Sequence, residues 1–413
     1  ITTKLRYGKI IFMTDQDLDG SHIKGLGLNL FDSEWKSLTK IPNFIGFMNT
    51  PILKVKKGKN TQVFYNEGEY ETWKANTSNH ETWNIKYFKG LGTSTAKEFK
   101  EYFADKKFVM FSPQTADSED HLDMVFNKKR TCDRKEWLST YNRNAYLNTN
   151  DPTVDINDFI DKEMKHFSKY DNDRSIPNGI DGLKISQRKI LFSAFKKKLT
   201  KEIKVAQFSG YVSEHSGYHH GEASLVGAII GMAQNFVGSN NINIFKPNGQ
   251  FGTRLMGGKD SASERYIFTE LNSLTRLIYP AADDCILKYL NDDGQDIEPI
   301  YYVPIIPMIL VNGCKGIGTG FSTDIMSYNP MEIIQYFKTK LEGHLNLPKI
   351  HPYYEGFKGT IDLVAPNKYL IKGCWDIVSA KKVHVTELPV GLWTEDYKCY
   401  LESLMDSTKN NKK

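Results

Sequence analysis

The chain has 413 residues, 54 of them basic and 49 acidic, for a formal net charge of +5. That small excess permits a nucleic-acid partner without arguing for one, because local clustering matters more than the sum. Five cysteines, none in a C-x-x-C pair, argue against a disulfide framework or a structural zinc site and fit a reducing compartment. No run of about 18 apolar residues is present to span a bilayer, and no secretory signal is visible.

The chain is long enough for two or three domains with cores of their own. It opens on Ile1 and enters a strand-like segment almost at once, so we expect a piece of a longer protein. Ile10 to Met13 is a short apolar run followed by acids and a glycine, the pattern of a buried parallel strand opening onto a site. Leu26, Leu30, Trp35 and Leu38 have helical spacing over 23–38. Strand-like runs follow at Ile52–Val55 and Val63–Tyr65. Lys89 to Thr93 is a turn, and Ser94 or Thr95 can cap a helix from Ala96 to Phe103. Alternating strand and helix predicts α/β with a mainly parallel sheet.

From 104 to about 160 the chain is polar and turn-rich, and reads as a connector. Helices are predicted at Ile185–Phe195 and Ala223–Phe236, with a basic cluster between them at Lys196, Lys197, Lys198, Lys201 and Lys204. From Asn241 to Ser322 turn glycines alternate with apolar runs such as Ile305–Val311. Helices first and a β-wing later is winged-helix order. Residues 323–413 form a third, mixed region.

Three places carry chemistry. Asp15, Asp17 and Asp19 lie in Thr14-Asp15-Gln16-Asp17-Leu18-Asp19-Gly20. In an extended segment residues two apart face the same side, so three carboxylates are expected to converge. Their repulsion calls for a cation, and oxygen ligands suit Mg²⁺. An EF-hand is ruled out because its twelfth position, which needs a glutamate, is Leu26; an acidic surface turn remains the bland alternative.

The second place is Arg265-Tyr266, which follows Gly249 to Arg254 and Gly257 to Glu264. A phenol is a weak nucleophile at neutral pH unless a cation favours its anion. Arg265 and Arg254 offer that charge and a grip on phosphate. Against this, most of the 22 tyrosines must be packing or surface residues. The third place joins Asp173-Arg174, Asp181 to Lys184, and Tyr218-His219-His220-Gly221-Glu222. Adjacent histidines diverge, so at most one is expected to face a site, with hydrogen bonding to phosphate favoured over metal ligation.

Together these residues resemble type II DNA topoisomerases of the eukaryotic kind. Met13 to His22 resembles the family's TOPRIM metal motif, and Lys89 to Ser94 a second TOPRIM block. Arg174 to Lys184 is similar to the start of its winged-helix domain. Tyr218 to Glu222 and Gln234 to Asn241 are similar to its DNA-facing helix and the segment after it, and Phe251 to Thr269 to the nucleophile segment. The likeness runs from residue 3 to about 395.

The resemblance implies an α/β plus α+β multidomain fold. It would comprise a partial TOPRIM domain over 1–125, a connector over 126–165, a winged-helix cleavage domain over 166–328 and the start of a tower domain over 329–413. It makes Tyr266 the nucleophile, with Arg265, His220 and Arg174 on the scissile phosphate and Lys184 close by. Asp15 and Asp17 would bind Mg²⁺, two ions per site in the complete enzyme, with Asp19 supporting. Ile317, in Gly316 to Gly320, would wedge between base pairs, and Lys89, His219, Arg254 and Lys259 are expected to contact DNA.

It further implies double-stranded DNA as substrate, a homodimer, a nuclear setting and no membrane. ATP would be bound by a domain outside this chain. A family glutamate, in a Glu-Gly-Asp-Ser type motif, is not among these residues. Glu264 stands where family members often carry a small residue or proline. The chain by itself is expected to bind DNA weakly and to be inactive. Two other readings stay open: another TOPRIM enzyme such as a nuclease or primase, which needs no tyrosine, and a DNA-binding module without chemistry.

Overall fold

A computed structural model describes residues 5–88, 90–292 and 294–410. It separates into two compact units, one running to Asn172 and including Gly318–Phe321, the other Asp173–Ile317 with the chain from Ser322 onward.

The first unit is built on a four-stranded sheet in the order β1 (Ile10–Phe12), β2 (Ile45–Met48), β6 (Phe108–Phe111), β7 (Thr153–Val154). β1 and β2 run parallel, with Ile10 opposite Ile45 and Phe12 opposite Phe47, and β6 and β7 are parallel. β2 and β6 are antiparallel. The sheet is therefore mixed, not mainly parallel as expected. The cause is that an apolar strand such as Phe108-Val109-Met110-Phe111 carries no mark of its direction.

Between β2 and β6 the chain makes a second sheet, β4 (Asn60–Phe64), β3 (Leu53–Lys57), β5 (Asn84–Tyr87), all antiparallel. Helices α1 (Leu18–Glu34), α2 (Glu67–Asn76), α3 (Ala96–Ala104), α4 (Ala116–Phe126) and α5 (Thr131–Ser139) follow the strands they flank. The predicted connector is thus folded, supplying α5 and β7. Its turn-rich composition hid a two-residue strand and a helix with almost no amphipathic pattern. Past β7 a helical stretch over 156–175 holds a π-turn, Ile160–Met164, and then α6 (Lys165–Ser175). Phe47, Val109, Leu122, Ile156, Phe159, Ile160 and Met164 form the core between sheet and helices, each fully buried apolar side chain contributing about 1.5–3 kcal/mol.

The second unit begins with three packed helices, α7 (Ile185–Lys197), α8 (Val205–Ser216) and α9 (Glu222–Ala233); α7 and α9 are close to the two predicted helices, and α8 was not foreseen. Ile190, Leu191, Val205, Phe208, Val212, Leu225 and Ile229 are their shared core, joined by Phe245 and Ile267 from the following loop. A short antiparallel pair, β8 (Ile203–Lys204) with β9 (Phe268–Thr269), ties that loop back to the helices. Hairpins β10 (Tyr289–Asp292)–β11 (Gln295–Pro299) and β12 (Cys314–Ile317)–β13 (Ser322–Ile325) come next. The run Ile305–Val311 ends in one helical turn, Met308–Val311, rather than a strand. Helix α10 (Pro330–Leu341), hairpins β14 (Thr360–Ala365)–β15 (Lys368–Lys372) and β16 (Cys374–Ser379)–β17 (Lys382–Glu387), and α11 (Thr394–Asn410) complete the chain.

Candidate active site

The acidic cluster sits where β1 gives way to α1. Helix α1 starts at Leu18, with Asp17 as N-cap: its Oδ1 accepts the Gly20 N–H at 2.7 Å. Asp15 turns toward the second predicted block, its Oδ1 accepting the Leu91 N–H at 2.6 Å. Gly20 is required by close approach, since a methyl there would lie 1.9 Å from the Asp15 carbonyl oxygen. The expected convergence of three carboxylates does not occur: no three His, Cys, Asp or Glu side chains form a metal-holding group among the described residues. Asp17 is still extended, but Asp19 lies in the first turn of α1, so the two-residue alternation rule does not carry across all three.

The donor chemistry nonetheless fits a divalent cation. Asp15 and Asp17 each give one oxygen to a backbone N–H, and no basic side chain lies within ion-pair distance of either among the described residues. The first lysine of α1, Lys24, is buried and taken by Glu163 at 3.4 Å, which also accepts from Ser21 Oγ at 2.9 Å. Sequence reasoning missed this pair. Its partners are 139 residues apart, with Glu163 reaching α1 from the π-turn. Lys89 lies outside the described residues.

In the second unit, Tyr266 belongs to an excursion of the chain whose base is the bridge Asn248–Phe268. Next to that base, Ile267 is 1% exposed while Tyr266 is 70% exposed. The backbone here satisfies the first N–H groups of α8: Val205 donates to the Ile267 carbonyl at 3.0 Å and Ala206 to that of Glu264 at 3.1 Å. A core side chain and a helix N-terminus thus hold a phenol out to solvent. The Arg265 guanidinium stands 5.6 Å from the Tyr266 ring centre, and its Nε lies 3.5 Å from Ser263 Oγ. That hydroxyl donates to the Glu264 carboxylate at 3.2 Å.

Between Gly249 and Ala262 the excursion folds on itself. Thr253 donates its N–H and hydroxyl to Asp260, at 2.8 and 2.5 Å, and these bonds hold the Asp260 carboxyl below its usual range. Gln234, just past α9, donates to the carbonyls of Phe251 and Gly258. Lys259 is exposed. Arg254 is half-buried, with 23% of its side chain exposed. Its guanidinium pairs with Glu387 and donates to the Leu388 carbonyl at 2.6 Å.

The remaining predicted residues are placed as follows. Arg174 is half-buried in the last turn of α6. Lys184 is half-buried at the start of α7, its N–H bound to Gln187 Oε1 at 2.9 Å. The two histidines diverge as expected: His219 Nε2 is 3.5 Å from Asp292, while His220 meets the Tyr218 ring edge-on at 5.5 Å. Ile317 ends β12 with 72% of its surface exposed.

Below Lys184 lies a hub the sequence did not reveal. Asp181, fully buried, accepts from Arg188 Nε and Nη2 at 2.7 and 3.0 Å, and from the N–H groups of Leu183 and Tyr302. A buried carboxylate needs this many donors.

Comparison with known proteins agrees with both halves. Residues 174–413 match the family model for the A-type subunit of DNA gyrase/topoisomerase IV, and residues 48–172 that of the C-terminal associated domain of TOPRIM. DNA topoisomerase 2 of Arabidopsis thaliana is 52% identical over 97% of this chain and 28% of its own length. DNA topoisomerase 2-alpha of Homo sapiens is 49% identical over 98% and 27%. The DNA-binding, cleavage and re-ligation domain of Plasmodium falciparum topoisomerase II superposes with a TM-score of 0.77 at 49% identity, covering 99% of this chain and 56% of that one. The chain spans less than a third of the length of these two full-length relatives. With one family model covering more than half of it and such identity along nearly all of it, this chain belongs to the type II DNA topoisomerases.

Proposed function

We propose that this chain is the breakage-reunion part of an ATP-dependent type II topoisomerase. The parent enzyme makes a transient double-strand break through a 5′-phosphotyrosyl intermediate and passes a second duplex through it. The observation carrying this reading is Tyr266: a phenol held out to solvent, one residue from a buried anchor, with a guanidinium on its ring.

In the proposed step the Tyr266 oxygen attacks a backbone phosphorus. The P–O bond to the 3′ oxygen of the neighbouring nucleotide breaks, that oxygen takes a proton and leaves as a hydroxyl, and the phenolic proton goes to solvent or a nearby base. One phosphodiester replaces another, so resealing is the reverse reaction and needs no separate energy source. Arg265 neutralises charge building on the phosphoryl oxygens, and Arg174, His220 and Lys184 hold the phosphate from neighbouring elements. Ile317 wedges between base pairs and bends the duplex, and His219 and Lys259 contact DNA. Asp15 and Asp17, with Asp19 beside them, would hold Mg²⁺, which neutralises phosphate charge and favours loss of the 3′ oxygen. The finer architecture is proposed with the function: a winged-helix cleavage domain over 166–328, a tower start over 329–413, a homodimer acting in the nucleus, and ATP bound outside this chain. No described helix is long and apolar enough to cross a membrane.

The parent enzyme is incubated with supercoiled plasmid, Mg²⁺ and ATP, then quenched with detergent. Relaxation and protein-linked DNA ends are expected, and Tyr266→Phe should abolish both. Free ends that persist in the variant would instead indicate a nuclease, and a gel shift without breakage a binding module.

A further inference from the structure

We infer that Arg254 and Glu387 form a clamp that positions Tyr266, and that Arg254 is a positioning residue rather than a DNA contact. The inference rests on Tyr266 being the nucleophile.

The excursion from Asn248 to Phe268 has two ends to control. Its base is fixed by the Asn248–Phe268 bridge and by Ile267 in the core. It carries Gly249 beside that base and Gly252, Gly257 and Gly258 farther out, all at positive φ, a backbone with little stiffness of its own. Phe251 and Ala262 pack on the core and Gln234 holds the Phe251 and Gly258 carbonyls, whereas the tip at 254–257 is supported from one segment, 387–395. Arg254 pairs with Glu387 and donates to Leu388, and the Glu395 N–H donates to the Leu255 carbonyl at 3.0 Å. Trp393 packs so closely on Gly257 that a methyl there would lie 2.3 Å from its indole nitrogen.

Glu387 is also the exception in its surroundings. Every other residue of β17, and all of β16 beyond half-buried Cys374, is exposed, yet the Glu387 side chain is 7% exposed. A carboxylate is buried in such a hairpin only where a partner compensates it, and Arg254 is that partner. The planar guanidinium serves a carboxylate and a carbonyl at once, which an ammonium on a flexible stem does not reproduce. From the clamped tip the chain closes through the Thr253–Asp260 bonds and the Ala262-to-Gln250 bond, then enters Ser263–Tyr266. A movement at the tip reaches the phenol along 255–266, where the Ala262–Gln250 and Ala206–Glu264 bonds are the intermediate holds, and misplacement of about 1 Å costs on the order of 10²-fold in rate.

The test uses the parent enzyme carrying Arg254→Ala, Arg254→Lys, Glu387→Ala or the Arg254→Ala/Glu387→Ala pair. The readouts are the covalently trapped DNA fraction at saturating DNA, and DNA affinity against salt. The clamp predicts that both alanine variants lower trapping about 10- to 100-fold, that the pair is no worse than either alone, that lysine does not rescue, and that the salt slope is unchanged. A salt slope reduced by about one in Arg254→Ala, with normal trapping in Glu387→Ala, would overturn it in favour of a phosphate contact. Amide exchange in the 413-residue chain keeps the clamp separable from the nucleophile assignment. Faster exchange over 251–266 in Glu387→Ala, with an unfolding midpoint close to wild type, supports the clamp, and unchanged exchange overturns it. Covalent adduct surviving in Tyr266→Phe would remove the nucleophile assignment instead.

Discussion

Tyr266 and Ile267 are neighbours in opposite environments, and that contrast is the smallest unit of the functional account. Because the phenol is mostly exposed, Tyr266→Phe should shift stability by less than about 0.5 kcal/mol while removing covalent chemistry; a thermal unfolding curve beside the trapping assay checks both. Glu98 offers a pH test of a different kind. Lys86 at 2.7 Å, then the Thr95 N–H, hold its carboxyl at about 2, against an ordinary 4.5. A depressed carboxyl stabilises the fold above the ordinary value, and that contribution is lost as pH falls toward 2. The Glu98 carboxyl carbon followed by NMR should therefore titrate near 2 in the wild type and move toward 4.5 in Lys86→Met. Chemistry-bearing residue types were readable at this scale: the aspartate cluster and the Arg265-Tyr266 pair stood out in sequence. Partnerships were not. The pairing of Arg254 with Glu387 was not legible, because nothing in the local sequence announces a partner 133 residues away.

At the scale of elements, caps and helical runs were legible because their signals are local. Thr95, one of the two caps foreseen for α3, closes a capping box with Glu98, and α7 and α9 lie within a few residues of their predicted ends. The acidic segment differs from the expectation because the helix begins inside it, with Asp17 as N-cap and Asp19 in the first turn. Gly20 decides that geometry. Alanine is the better helix former by about 1 kcal/mol, yet Gly20→Ala should destabilise the chain and displace Asp15, because its methyl would overlap the Asp15 carbonyl. A lower melting temperature with weaker Mg²⁺ uptake by calorimetry is expected. Asp181→Ala leaves the Arg188 guanidinium buried without its carboxylate and should cost about 3–5 kcal/mol in chemical denaturation. Strand direction in the first sheet was beyond reach, since Phe108–Phe111 is uniformly apolar and reads alike in either orientation.

For the whole molecule, composition set only bounds. A net charge of +5 says little about a DNA-binding surface, and the polar stretch taken for a connector proved to be folded into the first unit. The metal reading is tested at this scale. Adding EDTA to the parent enzyme should abolish trapped covalent complex while leaving a DNA gel shift in place, because phosphate contacts by basic side chains need no cation. The central claim is that one phenol among 22 trades a DNA phosphodiester for a bond to protein. The most direct measurement is mass spectrometry of the complex trapped on DNA, after nuclease and protease digestion. The account predicts a nucleotide joined through its 5′ phosphate to the peptide containing Tyr266; a nucleotide on any other residue, or trapped protein with no adduct, would contradict it.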